Sequence, residues 1–173
     1  ILETFPFHEP DIWILFGDLN FRIDMDYYEF SRYIDNQEAY KLLEYDQFNK
    51  NKIASLELSS IIEEDQINYP PTYKYILGSD EYDYKPKLKK EKAELEKKGS
   101  AEENEIPKLS GKKRNPSWCD RIFYKKNAYV TNDGEKMVEG VGCYGNVMDK
   151  SFQTSDHRPI YNILKALVFR EEP

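Results

Sequence analysis

The 173-residue sequence predicts a mixed α/β (α+β) domain, because it contains both strand-like and helix-like segments. Segments rich in β-branched and aromatic residues, typical of strands, lie at residues 11–16, 72–76 and 160–169. Between the first two of these, residues 24–52 repeat apolar side chains at helical spacing. A chain of this length is enough for about one domain, so we expect these strands and helices to share one hydrophobic core.

The first predicted strand, residues 11–16, places five apolar residues in succession after an aspartate. Such a run is typical of a strand that is buried on both faces. The run ends at Gly17, which allows a sharp turn, and Asp18 and Asn20 follow at a spacing of two. Their side chains either point together at one site or bond the local backbone of an ordinary turn.

The next segment predicts helices whose aromatic residues form part of the core. Phe30, Tyr33 and Ile34 recur at helical spacing, and a break near Asn36 separates them from a second amphipathic helix. The second helix is expected to bury Tyr40, Leu43 and Phe48, and a third, short helix is expected over residues 55–64. We interpret this aromatic stripe as core packing rather than as a cofactor site.

Residues 69–76 combine two prolines with β-branched and aromatic residues, which favours extended backbone. Alternation of side chains would separate Thr72 and Lys74 from Tyr73 and Tyr75. A lysine and a tyrosine hydroxyl here would suit an anion. The alternative is a surface strand whose lysine lays its stem along the sheet.

Composition and charge exclude several classes of function. The net charge of −7 disfavours a nucleic-acid partner, which requires a basic footprint. The sequence has no run of about 20 apolar residues and no signal-peptide pattern, and its two cysteines are expected to be free thiols. The chain begins at Ile1 rather than at methionine, so we expect a fragment of a longer protein.

A charged Lys/Glu-rich loop is predicted at about residues 79–111, with at most a frayed helix over residues 89–98. Mixed charge with so few apolar residues cannot bury enough surface to form core. Its lysines would attract an anionic membrane surface, whereas its interleaved glutamates favour a merely solvated loop.

Two polar segments near the C-terminus contain the most promising titratable side chains. Residues 112–121 place Trp118, which we expect to anchor the segment in the core, two positions before Asp120. A buried aspartate needs a partner, and both Arg121 and His157 are candidates. His157 follows Asp156 in a Ser-Asp-His-Arg-Pro turn. A histidine beside a carboxylate suits proton transfer, although a solvated loop histidine is the alternative.

Four segments together resemble the inositol polyphosphate 5-phosphatases of the deoxyribonuclease-I-like (endonuclease/exonuclease/phosphatase) superfamily. They are Gly-Asp-Leu-Asn at 17–20, Pro-Thr-Tyr-Lys-Tyr at 71–75, Pro-Ser-Trp-Cys-Asp-Arg-Ile at 116–122 and Ser-Asp-His-Arg-Pro at 155–159. The resemblance covers nearly the whole chain except the Lys/Glu insertion. It implies half of a four-layer α/β/β/α sandwich, in which two mostly antiparallel or mixed sheets pack face to face and the flanking helices lie outside.

The resemblance also implies a role for each matching residue. Asp18 would orient and activate the attacking water, and Asn20 would contact the scissile phosphate. His157 would donate to a non-bridging phosphate oxygen, Asp120 would hold its ring, and Asp156 would lie near the metal. The neighbouring 4-phosphate of the inositol ring would be received by four residues, Tyr73, Lys74, Lys112 and Arg114.

The Asn and Glu that hold Mg²⁺ in this family precede the Gly-Asp-Leu-Asn segment, and this sequence lacks them. Residues 1–173 therefore resemble the C-terminal half of a catalytic domain, which would need its N-terminal half for Mg²⁺-dependent activity. The expected substrate is a phosphoinositide or an inositol polyphosphate, and the expected location is cytoplasmic and peripheral to membranes. A non-catalytic module that binds head groups or a partner is the alternative. A nuclease or sphingomyelin-type phosphodiesterase fits the 4-phosphate residues and the negative charge less well.

Overall fold

The computed structural model describes residues 12–83, 114–126 and 136–168. Most of the charged insertion, residues 84–111, and the predicted substrate residue Lys112 lie outside the described part. The described strands are β1 (Ile14–Asp18), β2 (Ile62–Glu63), β3 (Asp120–Lys125), β4 (Val138–Gly140), β5 (Gly145–Asn146), β6 (Ile160–Tyr161) and β7 (Leu164–Ala166). The α-helices are α1 (Tyr27–Asp35), α2 (Gln47–Ala54) and α3 (Leu56–Ile61), and 3₁₀ helices form at Ala39–Tyr45 and Lys150–Phe152.

An antiparallel three-stranded sheet in the order β1-β3-β2 organises the molecule. Two smaller antiparallel ladders, β4–β7 and β5–β6, complete the described strands. The mixed α/β class and the antiparallel pairing predicted from the sequence are confirmed. The register of the main sheet sets Asp18 directly opposite Asp120, so both carboxylates lie on the same face at one end of the sheet.

Helices α2 and α3 cover one face of this sheet. Trp13 and Phe123 from the sheet side pack with Phe48 of α2 and with Ile62, and all four are buried. The rings of Phe48 and Phe123 lie 4.3 Å apart, which is contact distance for a tilted aromatic pair. Aromatic packing of this kind holds β3, and therefore Asp120, in a fixed position.

The opposite face of β1 is exposed. Ile14 is 47% exposed and Phe16 is 71% exposed, whereas Trp13 on the helix side is buried. The prediction that this strand is buried on both faces is therefore wrong for the described structure. Side chains alternate along a strand, and the helices cover only one of the two resulting rows. An uncovered apolar row fits the expectation that one half of a two-sheet sandwich lacks its opposing sheet.

The second core cluster forms around Phe30 and Trp118 and confirms that the helical aromatic residues pack inward. The second helix differs from the prediction, because residues Ala39–Tyr45 form a 3₁₀ helix and α2 begins only after Asp46, which caps it through Asn49 N. A 3₁₀ helix has three residues per turn, so its buried face differs from that of an α-helix. Leu42 is fully buried as a result, and Tyr40, expected inside, is 65% exposed.

Two predicted strands are shorter than expected. Residues 72–76 form isolated bridges only, in which Tyr73 pairs with both Ser117 and His157. The C-terminal strand expected over residues 160–169 is divided into β6 and β7. Within the described ranges, none of the helices has the length and apolar content that a bilayer-spanning helix needs.

Candidate active site

The end of β1 presents Asp18 and Asn20. Gly17 has a φ of +130°, a conformation that glycine adopts without steric cost, and Asn20 follows in the left-handed region at +58°. Asp18 Oδ1 accepts a hydrogen bond from the Asn20 backbone N–H at 3.0 Å. The local turn bond weighed in the sequence therefore forms, and it fixes two polar side chains at the sheet end that also carries Asp120.

Asp120 holds the His157 imidazole. Its Oδ2 lies 2.9 Å from His157 Nδ1 and also accepts a hydrogen bond from the Thr72 hydroxyl at 2.6 Å. The Trp118 indole, buried two residues earlier, donates to the Tyr69 carbonyl at 2.9 Å and anchors this segment. Three chain segments that are distant in sequence thus meet at one carboxylate.

The other candidate partner of Asp120, Arg121, points to the opposite side of the sheet. It is completely buried, and its Nη1 lies 3.0 Å from Asp46 while its Nη2 lies 2.5 Å from Glu64. The Tyr144 hydroxyl donates to the same Glu64 carboxylate at 2.9 Å. Alternation along β3 therefore gives the aspartate to the site and the arginine to a structural ion network.

The hydrogen bond to Asp120 raises the pKa of His157 above its ordinary value of 6.5, and the charges of Asp18 and Asp156 act in the same direction against the effect of burial. His157 Nε2, the nitrogen that does not face Asp120, lies 3.9 Å from Asp18 Oδ2. A raised pKa favours the imidazolium at neutral pH. The site can therefore present a cationic N–H donor beside a carboxylate.

Residues 72–75 are joined to the histidine loop by backbone hydrogen bonds. Tyr75 N–H donates to the Asp156 carbonyl at 2.9 Å, and Arg158 N–H donates to the Thr72 carbonyl at 2.8 Å. The Tyr73 ring lies 4.7 Å from the His157 ring at an angle of 38°. The imidazole is thus held from its Nδ1 side by a carboxylate and on its face by a phenol ring.

The residues expected to receive a second phosphate are only partly brought together. Lys74 lies next to the histidine loop, but its Nζ pairs with Asp83 at 2.7 Å, and this contact raises the pKa of Lys74. Arg114 is exposed, and Lys112 lies outside the described residues. The tyrosine of the group, Tyr73, has a buried ring against His157.

Sequence reasoning gave no role to Thr72 or Arg22, although both contact the site. Thr72 bonds Asp120, and the Arg22 guanidinium bonds the Asn20 side chain and lies 4.8 Å from the centre of the Tyr73 ring. The signal for Arg22 was present, because it continues the spacing of two set by Asp18 and Asn20. No local pattern identified Thr72, whose partner is 48 positions away.

A family model described as endonuclease/exonuclease/phosphatase family 2 matches residues 3–163. The chain belongs to this family. The match includes all of the described site residues and confirms the resemblance inferred from the four motifs.

Relatives of this member of endonuclease/exonuclease/phosphatase family 2 include named 5-phosphatases. A phosphatidylinositol 3,4,5-trisphosphate 5-phosphatase 2A of Danio rerio is 36% identical over 87% of this chain and 10% of the relative. A type I inositol polyphosphate 5-phosphatase 5 of Arabidopsis thaliana is 31% identical over 93% of this chain and 24% of the relative. The chain thus spans a quarter or less of the length of these curated relatives.

Solved structures give the same assignment of fold. The inositol polyphosphate 5-phosphatase domain of SPsynaptojanin, solved with inositol (1,4)-bisphosphate and a calcium ion, matches with a TM-score of 0.59 and 29% identity, over 92% of this chain and 37% of that chain. A Cimex nitrophorin matches with a TM-score of 0.61 at 23% identity over 91% of this chain and 43% of that chain, which shows a shared fold alone.

Three described residues of this family member could supply part of a metal site. Asp18, Asp120 and His157 each offer a ligand atom, and these atoms lie within 4.8 Å of one another. Mg²⁺ requires about six oxygen ligands, and imidazole suits it poorly. Asp120 Oδ2 already accepts from Thr72 and His157, which leaves Asp18 as the better ligand of the three. Asp156 is not part of this cluster.

Proposed function

We propose that the complete domain containing this chain hydrolyses the 5-phosphate of a phosphoinositide or inositol polyphosphate. The observation that carries the proposal is the His157 imidazole, bound to Asp120 at 2.9 Å and directed by its free nitrogen towards Asp18 at 3.9 Å. A proton donor beside a carboxylate is what phosphate-ester hydrolysis requires. The named 5-phosphatases among the relatives support the choice of substrate class.

In this mechanism Asp18 orients the attacking water and accepts its proton. The water oxygen forms a bond to phosphorus as the bond between phosphorus and the ring oxygen breaks. The released alkoxide takes a proton from a solvent water, and Asp18 returns its proton to solvent. The His157 imidazolium donates from Nε2 to a non-bridging oxygen, and the Asn20 amide donates to the same phosphate. Asp120 and Thr72 contribute by holding the imidazole in the orientation that makes Nε2 the donor.

We propose Mg²⁺ as the cofactor of the complete domain, with Asp18 as the described residue best placed beside it, whereas Asp156, which the resemblance implies near the metal, lies outside the cluster of Asp18, Asp120 and His157. A bound Mg²⁺ would neutralise charge on the phosphate oxygens and lower the pKa of a coordinated water. The principal ligands are proposed to come from an N-terminal half. The exposed row of Ile14 and Phe16 supports this, because an opposing sheet would bury both side chains.

A second phosphate on the ring would be bound by Tyr73, Lys74, Lys112 and Arg114. A lysine supplies a point charge, and an arginine supplies a planar fork that matches two phosphate oxygens. The position of Lys74 beside the histidine loop supports a basic pocket next to the reacting phosphate, on a protein that is acidic overall. We further propose a cytoplasmic location at membrane surfaces, where phosphoinositide head groups are accessible.

Phosphate release measures this function, with the 173-residue chain and the complete domain each titrated with Mg²⁺. We expect turnover of a 5-phosphorylated substrate only by the complete domain, and its loss in the Asp18→Asn variant while head-group binding is retained. Robust turnover by the chain alone would contradict the need for the N-terminal half. Binding without turnover by the complete parent domain would instead support the non-catalytic alternative, which the incomplete donor set favours.

A further inference from the structure

We propose that Arg22 is a positioning residue that sets the orientation of the Asn20 amide, an inference that rests on the proposed phosphatase function. Arg22 follows β1 and is tied to α2 through its backbone. Its N–H donates to Gln47 Oε1 at 3.0 Å, and its carbonyl accepts from Gln47 N–H at 2.9 Å. From this fixed backbone the guanidinium returns to the site, where Nη2 donates to Asn20 Oδ1.

This contact determines which end of the Asn20 amide is available to substrate. A guanidinium has donors only, so the Asn20 atom that faces it must be the acceptor Oδ1. The NH₂ group, which is the donor, is then the end left for another partner. A phosphate oxygen accepts hydrogen bonds, so the orientation imposed by Arg22 is the productive one. Without Arg22, the amide can rotate by half a turn and present its oxygen to the anion.

The backbone of Asn20 is fixed independently of Arg22. Its N–H donates to Asp18 Oδ1 at 3.0 Å, and its φ of +58° lies in the left-handed region that asparagine tolerates. The remaining freedom of Asn20 therefore lies in its side chain. Arg22 removes that freedom, so the two contacts together define both the place and the polarity of the amide.

The same guanidinium supports the ring that packs on His157. Its central carbon lies 4.8 Å from the centre of the Tyr73 ring, and the Tyr73 ring lies 4.7 Å from the His157 ring. A cation at this distance from an aromatic face is attracted to it. Arg22 Nη1 is buried and has no hydrogen-bond partner among the described residues, so no described carboxylate takes up that donor. Arg22 thus contacts Asn20 directly and His157 through the Tyr73 ring, and these two residues are the proposed hydrogen-bond donors to the phosphate.

The test uses the complete domain with Mg²⁺ and compares Arg22→Met, Arg22→Lys and Arg22→Ala with a matched control, Arg32→Met. Arg32 is an exposed arginine in the last turn of α1. Loss of a hydrogen bond from a charged donor predicts about a 10- to 100-fold decrease in kcat for Arg22→Met, with little change in KM. Arg22→Lys keeps the charge but lacks the planar fork, so its kcat should fall between that of the parent and that of Arg22→Met. Arg32→Met should match the parent.

Two further readouts separate positioning from a purely structural role. Millimolar guanidinium chloride, far below denaturing concentrations, should restore part of the kcat of Arg22→Ala and none of that of an Asn20→Ala variant. The two side-chain amide protons of Asn20 should give signals with distinct, environment-dependent chemical shifts in the parent, and in Arg22→Met these shifts should move towards those of a free asparagine because the side chain can then rotate about Cβ–Cγ. The NMR result does not require turnover, so it tests the inference even if the proposed activity fails.

Parent-like kcat in Arg22→Met, or unchanged Asn20 amide signals in that variant, would overturn the inference. An inactive parent with the expected NMR difference would overturn the proposed function and leave the orienting contact standing. Arg22→Ala that is folded by circular dichroism but is not rescued by guanidinium would also overturn the positioning role. Rescue itself shows that the variant is folded.

Discussion

Replacing Asp120 with asparagine removes the charge that holds the His157 imidazole and preserves the shape of the side chain. The two side chains are 17% and 27% exposed, and their contact of 2.9 Å is that of a charge-assisted hydrogen bond. Such a bond contributes about 1.5–3 kcal/mol. If this stabilisation acts in the transition state, its loss slows turnover by about 10- to 150-fold, because each 1.36 kcal/mol corresponds to a tenfold change in rate.

The pH dependence of this variant follows from the direction of the pKa shift. The contact with Asp120 raises the pKa of His157, so the donating imidazolium persists to higher pH than in a free histidine and is lost as the pH rises through the raised pKa. In Asp120→Asn the activity should therefore decline at a lower pH than in the parent.

The assay is phosphate release by the complete domain across a pH series, together with an NMR titration of His157 assigned by comparison with His157→Gln. Glu139→Gln is a matched control, because it removes a carboxylate that pairs with Lys165 on a different ladder. An Asp120→Asn variant with the parent's kcat and an unchanged His157 pKa would refute the reasoning from the hydrogen bond.

Three further substitutions test other contacts. Thr72→Val removes one of the hydrogen bonds to Asp120 while keeping its charge, and steady-state kinetics should show a decrease in kcat of about 2- to 10-fold. Arg121→Met leaves two buried carboxylates unpaired, and urea unfolding should show a free energy of unfolding lower by about 3–5 kcal/mol. Asp83→Asn frees Lys74 from its ion pair, so KM should decrease by up to about 5-fold for a substrate with a 4-phosphate and stay constant for one without it.

Each of these has its own control or contrary outcome. For Arg121→Met the comparison is Lys150→Met, an exposed position whose loss should not change the free energy of unfolding. A larger kcat effect for Thr72→Val than for Asp120→Asn would mean that the hydroxyl, rather than the carboxylate, holds the imidazole. An equal change in KM for both substrates in Asp83→Asn would mean that Lys74 does not face the second phosphate.

Local patterns in the sequence predicted the positions of helices and strands better than they predicted which side chains are buried. The apolar run before Gly17 does form a strand, but its composition alone could not distinguish a strand buried by the chain from one with Phe16 exposed. Both cases place the same residues in the same order, and only the position of the helices decides between them. Tyr40 and Leu42 show a related limit, because the period of a 3₁₀ helix differs from the α-helical period assumed for the segment.

The site illustrates a second limit, which is the choice among distant partners. The sequence left both Arg121 and His157 as candidates for Asp120, and the structure gives His157 to Asp120 and Arg121 to the opposite face. The motifs identified the residue types that phosphate chemistry needs. The supporting contact of Thr72 depends on the packing of segments 48 positions apart, which residue spacing does not encode, whereas Arg22 contacts Asn20 only two positions away.

Phe16 and Asp18 are two residues apart in β1, so their side chains lie on the same side of the strand, about 7 Å apart along it. Any protein surface that shields the phenyl ring from water must also form a wall of the space around the carboxylate. Exclusion of water from that space would strengthen the attraction between the Asp18 carboxylate and the His157 imidazolium, since charges interact more strongly away from bulk solvent. Association of the two halves of such a sandwich would therefore complete the hydrophobic core and strengthen the charge interactions at the site at the same time.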